Sequence, residues 1–279
     1  MKTNRIFALI LVLSLLTFSL SAVAETAVIP SPTTSDVSIS IGVTAVPHGE
    51  IVNDVVKPKL EAAGWKVDVV EFTDYVLPNT ALEAGELNAN YFQTIRYLEE
   101  ENEQRGLHLV PVAGIHLEPM GLYSGKYASL AEIPDGASIA VPNDGSNESR
   151  ALKLLADNGL IELTPSESLY NLQSIASNPH HFEIVELNAE NLSRNLPDVD
   201  AAVINGNYAL QADLSPVEDA LIAEKADSDE SYKYINYLVV TEGHEADEKT
   251  LVLIAALVNA DVKAYIEEKY SGSVIPAFE

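Results

Sequence analysis

Val37-Ser38-Ile39-Ser40-Ile41-Gly42-Val43 alternates apolar and polar residues without a break, the mark of a strand with two different faces. Pro47-His48-Gly49 then turns the chain, and Ile51, Val52, Val55, Val56, Leu60 and Ala63 recur at helical spacing until Gly64. Pro58 lies inside that pattern and is expected to kink or delimit the helix. Trp65–Phe72 reads as a second strand. Strand, helix and strand in succession imply parallel pairing through a crossover, which commits the chain to an α/β fold.

The rhythm persists. Helices are expected over Asn79–Gly85 and Thr94–Gly106, and strands over Ala89–Phe92, Leu107–Ala113 and Leu117–Ser124. Pro134-Asp135-Gly136 turns into a new strand, Ser138–Val141, followed by a polar loop over Pro142–Ser146 and a helix through Ala151, Leu154 and Leu155 that stops at Gly159. Further strands are expected at Phe182–Leu187, Asp200–Ile204 and Tyr234–Thr241. A single long amphipathic helix is expected from Leu251 through Ile266, ending near Gly272. The restart at Pro134 is what a second lobe would produce, and two α/β lobes suggest a cleft that closes on a small ligand.

Composition narrows the partners. Sixteen Lys and Arg face 42 Asp and Glu, a formal charge of -26, while 47% of the 279 residues are hydrophobic. Such a chain can bury a core, but its charge argues against wrapping nucleic acid or adhering to an anionic membrane surface. It favours a well-solvated monomer. With no cysteine, disulfides, zinc–thiolate sites, iron–sulfur ligation and cysteine nucleophiles are excluded together. Lys2 and Arg5, the apolar run Ile6–Leu20 and Ala22-Val23-Ala24 read as a signal peptide over residues 1–24. The run falls short of the ~20 residues of a spanning helix, which favours cleavage over a retained anchor. Residues 25–36, with Pro30 and Pro32, read as a flexible leader.

Enzyme signatures are sparse. The sequence contains no GxSxG, P-loop, GxGxxG or HExxH. The histidines are scattered, and only His180 and His181 are adjacent, so neither a metal site nor a cofactor is expected. Asp227-Ser228-Asp229-Glu230 hints at calcium but lacks the glycine and terminal glutamate of an EF-hand loop. The expectation is a binding protein, not an enzyme.

One segment breaks local rules. After Pro142, Asn143–Ser146 turn tightly, and Ser146 or Asn147 is suited to cap the next helix. Arg150 would then sit in the first turn, a cation where anions are favoured. Either it holds a ligand carboxylate together with free backbone N–H groups, or it is an exposed arginine paired with Glu148 or another acid. Asn205 follows the buried strand ending at Ile204, and Asn236 lies inside a strand, where an amide is unexpected. Both are either satisfied by backbone near the sheet or turned to a zwitterion, to which an amide offers donors and an acceptor. Tyr75, Phe92, Tyr97 and Tyr123 are likewise core or pocket.

At these residues the sequence resembles the methionine-binding lipoproteins of bacterial ABC importers, the NlpA lipoprotein family. The stretches that carry the likeness are Phe72-Thr73-Asp74-Tyr75-Val76-Leu77-Pro78-Asn79, Ala89-Asn90-Tyr91-Phe92-Gln93, Glu118-Pro119-Met120-Gly121-Leu122-Tyr123-Ser124, Ile139–Asp144 through Arg150-Ala151-Leu152, and Ala202–Asn205 through Tyr208-Ala209. The resemblance implies a two-lobed fold of the type II periplasmic-binding-protein kind, with residues 37–125 plus 235–279 in one lobe and 126–234 in the other. It implies delivery of methionine or a related amino acid to a membrane permease, with no cofactor or metal. By the same likeness Arg150 grips the ligand carboxylate, Asn147, Asn205 and Asn236 surround the amino-acid head, and Tyr75, Phe92, Tyr97 and Tyr123 line or flank the side-chain pocket. Two departures stand out. Thr94 replaces a pocket histidine and Arg96 a proline, which leaves room for a different side chain or a methionine-containing dipeptide. Ser21-Ala22-Val23-Ala24 offers no lipobox cysteine, so the chain is expected to be soluble, in the periplasm or outside the cell. The competing readings are a secreted enzyme acting on an amino-acid derivative and a surface interaction protein.

Overall fold

The alternating first segment, Ser38–Thr44 (β1), pairs in parallel with Lys66–Phe72 (β2), Ser38 opposite Lys66 through Thr44 opposite Phe72. The computed structural model describes residues 28–166, 168–226 and 231–279. Between the two strands the chain winds through wide π-type turns, Ala45–Gly49 and Val52–Val56, into the helix Lys57–Ala62 (α1). Pro58 sits in the first turn of α1, where its missing N–H costs nothing. The expected turn at Pro47-His48-Gly49 is thus wound helically, and it buries His48.

Leu77–Glu83 (α2), Ala89–Thr94 (β3), Ile95–Arg105 (α3) and Leu109–Leu117 (β4) follow. Gly121–Tyr123 (β5), Ser138–Pro142 (β6), Gly145–Asp157 (α4), the pair Glu162–Leu163 (β7) and Ile175–Ser177 (β8), and Glu183–Leu187 (β9) come next. Leu192–Asn195 (α5), Ala201–Ile204 (β10), Gly206–Gln211 (α6), Ile222–Ala223 (β11) and Ile235–Thr241 (β12) precede Glu248–Leu257 (α7), Ala260–Tyr270 (α8) and Ile275–Pro276 (β13). The strands form two main sheets, β13-β4-β12-β3-β1-β2 and β11-β5-β10-β6-β9. Both are mixed: β1 pairs in parallel with β2 and β3, β12 antiparallel with β3 and β4, and β10 parallel with β6 but antiparallel with β5.

The chain therefore crosses from one sheet to the other after Leu117 and returns before Ile235. Gly121–Tyr123, which the sequence reading placed in the first lobe, pairs in the second sheet. β3 and β10 are buried along nearly their whole length, as central strands covered on both faces must be. β2, at an edge, keeps the alternation of exposed and buried residues. Each sheet has its own core. Ile39, Ile41, Tyr91, Leu253 and Ile266 belong to one, and Met120, Ile139, Leu152 and Val203 to the other.

The expected long C-terminal helix is two helices. Asn259 accepts from the N–H groups of Asp261 and Val262 and donates to the carbonyls of Ala255 and Ala256. One amide thus ends α7 and starts α8, a break that apolar periodicity cannot show. Residues 28–36 contain no helix or strand but lie against the body: Trp65 Nε1 donates to Pro30 O at 2.8 Å, and Thr33 N to Glu248 at 2.7 Å. The expected signal peptide, residues 25–27 of the leader and the loop Asp227–Glu230 lie outside the described residues.

Candidate functional site

Between the two sheets lies a narrow, half-closed pocket. Its wall is assembled from strand ends and helix starts. Phe92, Gln93 and Thr94 come from the end of β3, Tyr97 from α3, and Glu118 from the segment after β4. Asn147 and Arg150 come from α4, Asn205, Gly206 and Asn207 from the start of α6, Asn236 from β12, and Tyr75 from the loop before α2. Eight of the nine residues expected from sequence are in this wall.

Tyr123 is the exception. It is 1% exposed and packs in the second sheet's core with Ala140, Ala202 and Ile204, so it is a core tyrosine and not a pocket one.

Arg150 is in the cleft, but not for the reason its spacing suggested. The cap of α4 is Asp144, whose carboxylate accepts from Asn147 N at 2.9 Å, so the helix begins two residues earlier than expected. Arg150 falls in the second turn, beyond the reach of a helix-terminus argument. The guanidinium is 5% exposed and already engaged. Nε and Nη2 donate to Glu224 at 2.8 and 2.5 Å, Nη2 also donates to the Glu118 carbonyl at 2.8 Å, and the Tyr234 ring lies 4.1 Å from its carbon. Burial opposes its charge, but Glu224 outweighs burial and holds its pKa above the ordinary value. The guanidinium edge that could hold a ligand carboxylate is thus occupied by an internal one, Glu224. Glu224 also accepts from Met120 N at 2.9 Å. Nη1 alone carries no hydrogen bond among the described residues.

The asparagines form a connected wall. Asn205 Nδ2 donates to Asn147 Oδ1 at 2.8 Å, and Asn147 Nδ2 donates to Asp144 at 2.8 Å. Tyr75 OH donates to Asn207 Oδ1 at 2.5 Å, which reaches from the first sheet's side to the second's. Two buried polar atoms in this wall have no partner among the described residues, the acceptor Asn205 Oδ1 and the donor Nδ2 of Asn207. Leaving such atoms unpaired costs about 1–3 kcal/mol each, and a ligand with both a donor and an acceptor could pair them.

The aromatic side is a box. The Tyr75 ring is 5.8 Å from Phe92, 5.5 Å from Tyr97 and 5.0 Å from Tyr208, and Phe92 and Tyr97 are 6.2 Å apart. Thr94 caps α3 by accepting from Tyr97 N at 3.3 Å, which ties the residue in the histidine's place to the backbone.

Sequence reading missed the charged floor. Glu118 is 5% exposed, and its Oε1 accepts from His116 Nε2 at 2.6 Å and faces His48 Nε2 at 3.4 Å. Gly206 lets the start of α6 pack against Glu118, because a Cβ there would stand 2.6 Å from that of Glu118. Burial pushes the Glu118 carboxyl up, and the Arg150 charge and Asn207 N–H only partly counter it. The same burial pushes His48 down to about 4 and His116 to about 3, so both are neutral at pH 7. Glu118 had a signal, since it opens one of the motifs that carry the family likeness. The histidines had none, being 68 residues apart in sequence on unrelated elements. Though far apart in sequence, His48, His116 and Glu118 place ligand-type atoms within 4.8 Å of one another.

The family model for NlpA lipoprotein matches residues 39–278. The membrane lipoprotein TpN32 of Treponema pallidum is 36% identical over 87% of this chain and 89% of its own. An ABC transporter periplasmic substrate-binding protein from Coxiella burnetii superposes with a TM-score of 0.80 at 39% identity, over 86% of this chain and 100% of that one. A nutrient-binding protein from Burkholderia cenocepacia bound to methionine superposes with a TM-score of 0.81 at 40% identity, over 86% and 100% of the two chains. The two-lobed α/β fold is that of these neighbours. The kinship overturns one expectation. The matched family and the Treponema relative are membrane lipoproteins, which are attached to the membrane, whereas this chain was expected to be soluble and released. A missing cysteine removes one chemistry of attachment and says nothing of another. No helix among the described residues is long and apolar enough to cross a membrane. With the match running almost from the first strand to the last residue, the chain belongs to the NlpA lipoprotein family.

Proposed function

We propose that this chain is the extracytoplasmic substrate-binding protein of an ABC importer and that it takes methionine or a closely similar free amino acid. The observation that carries the reading is the pair of unpartnered amide atoms, Asn205 Oδ1 and Asn207 Nδ2, in the wall of an interlobe cavity. An ammonium supplies the donor that the first lacks, and a carboxylate supplies the acceptor that the second lacks. Glu118 gives the ammonium a counter-charge, and Nη1 of Arg150 gives the carboxylate one. The Tyr75–Phe92–Tyr97 box suits a thioether, which is polarizable and packs well against ring edges. The two sheets act as the two lobes, closing on the ligand across the crossings after Leu117 and before Ile235, and the closed form is what a permease reads. Binding of methionine by the Burkholderia neighbour supports the choice of ligand.

The test is recovery of the ligand. Denaturing the freshly purified protein and analysing the supernatant by mass spectrometry should release an intact amino acid, methionine foremost. Conversion of added methionine derivatives to new products would favour the enzyme instead.

A further inference from the structure

His48 and His116 belong to the first sheet's side of the cleft and touch no ligand-facing space. They come from a helical turn after β1 and from the end of β4. Both rings nevertheless aim Nε2 at one oxygen, Glu118 Oε1, at 3.4 and 2.6 Å. His48 Nε2 lies also 3.1 Å from Asn236 Oδ1, so a single N–H faces two residues of the cavity wall. On the far side of each ring, Nδ1 meets a hydroxyl: Thr44 Oγ1 at 2.8 Å from His48, and Tyr91 OH against His116. A carboxylate only accepts, so each Nε2 carries the proton and each Nδ1 accepts one from its hydroxyl. His116 thus donates to the carboxylate oxygen directly, and His48, whose N–H is shared with Asn236, closes the other side of the same oxygen at 3.4 Å. A buried carboxylate without such donors would turn to find partners or take up a proton.

We propose that His48 and His116 are positioning residues for the ammonium end of the ligand, fixing the rotamer and the negative charge of Glu118, and so make the site select a free primary amine. This rests on the amino-acid reading above. The hydroxyl partners matter, because Thr44 and Tyr91 can donate to Nδ1 while the rest of the pocket stays unchanged. The network also gives Asn236 a structural anchor and a ligand-facing position together.

The experiment compares two ligands that differ only at the amine: L-methionine and its des-amino analogue, 4-(methylthio)butanoate. Affinities are read by ligand-observed NMR, so that millimolar binding counts, for the unsubstituted chain, His116→Ala, His116→Gln and His48→Gln. Losing one charge-assisted donor is expected to weaken methionine about tenfold or more in His116→Ala, with less than about a threefold change for the analogue. His116→Gln, whose amide N–H can still reach Glu118, should recover part of the loss. If His116→Ala does not fold, His48→Gln carries the comparison, with the same selective weakening expected. Equal weakening for both ligands, or none for either, overturns the positioning role and leaves the amino-acid reading standing. Failure of the unsubstituted chain to bind methionine at all removes the amino-acid reading itself. Dialysis against a chelator should leave the methionine affinity unchanged. A fall that zinc restores would mean that a metal, and not hydrogen bonds, holds these three side chains together.

Discussion

Arg150 shows how a residue can be found for one reason and held for another. Its motif pointed to a cleft, and it is in one. The dipole conflict that first drew attention to it disappears once Asp144 is seen to cap α4. Its true partner, Glu224, lies 74 residues further along, just after a two-residue strand, where no spacing rule operates. This changes what a substitution does. Arg150→Ala leaves a partly buried carboxylate without its cation, so it should cost about 2–3 kcal/mol of stability in urea denaturation, less than a fully buried pair would, besides weakening ligand binding. Arg150→Met combined with Glu224→Gln should recover most of that loss, because a buried pair replaced as a pair is close to neutral. If the double variant is as unstable as Arg150→Ala, the two side chains do not act as a unit. Asn205 and Asn236 were legible because amides beside or within buried strands demand an explanation. Asn207 was not, because it looks like any polar residue opening a short helix.

Among the elements, legibility followed length and period. β1, β2 and β3 repeat their apolar residues often enough to be read to within about two residues. β7, β11 and β13 have two residues each, and two residues have no period. The break between α7 and α8 was hidden because Asn259 falls between two amphipathic faces that continue one another. Asn259→Ala should cost about 1–2 kcal/mol in thermal or chemical denaturation by removing that double cap. No change would mean that packing alone sets the break. α4 carries a pH-dependent element of its own. Glu148 is buried, faces Glu186, Asp144 and Glu100, and accepts from Leu172 N at 2.9 Å. Burial, then these neighbouring charges, push its carboxyl up to about 7. The native state therefore keeps a proton that the unfolded chain releases from about pH 4.5, and stability falls as pH rises through that window. Glu148→Gln keeps the acceptor and removes the charge. Its melting temperature should exceed the parent's at pH 8 by more than at pH 5.5, with a gain on the order of 1–2 kcal/mol at the higher pH. Parallel curves would show that the carboxyl ionises freely.

At the scale of the molecule, the alternation of strand and helix gave the α/β class and the restart at Pro134 gave the second lobe. Neither could locate the crossing, because Gly121–Tyr123 reads as a strand in either sheet. The cleft exists because each sheet buries its own core and leaves strand ends facing the other. The two halves then meet through one stacked pair of rings, Tyr75 and Tyr208, and through polar contacts: Tyr75 with Asn207, Tyr208 OH with Thr73 O, and Glu100 with Ser146 N at the start of α4. Contacts of that kind can open and close at modest cost, unlike a shared apolar core. The central claim is that the cleft completes its hydrogen bonding only with a zwitterion inside. Isothermal titration of the ligand-stripped protein with L-methionine tests it most directly. One site per chain is expected for the parent, with affinity about tenfold or more weaker in both Asn205→Ala and Asn207→Ala. Absence of any heat with the parent, or affinities unchanged in both variants, would contradict it.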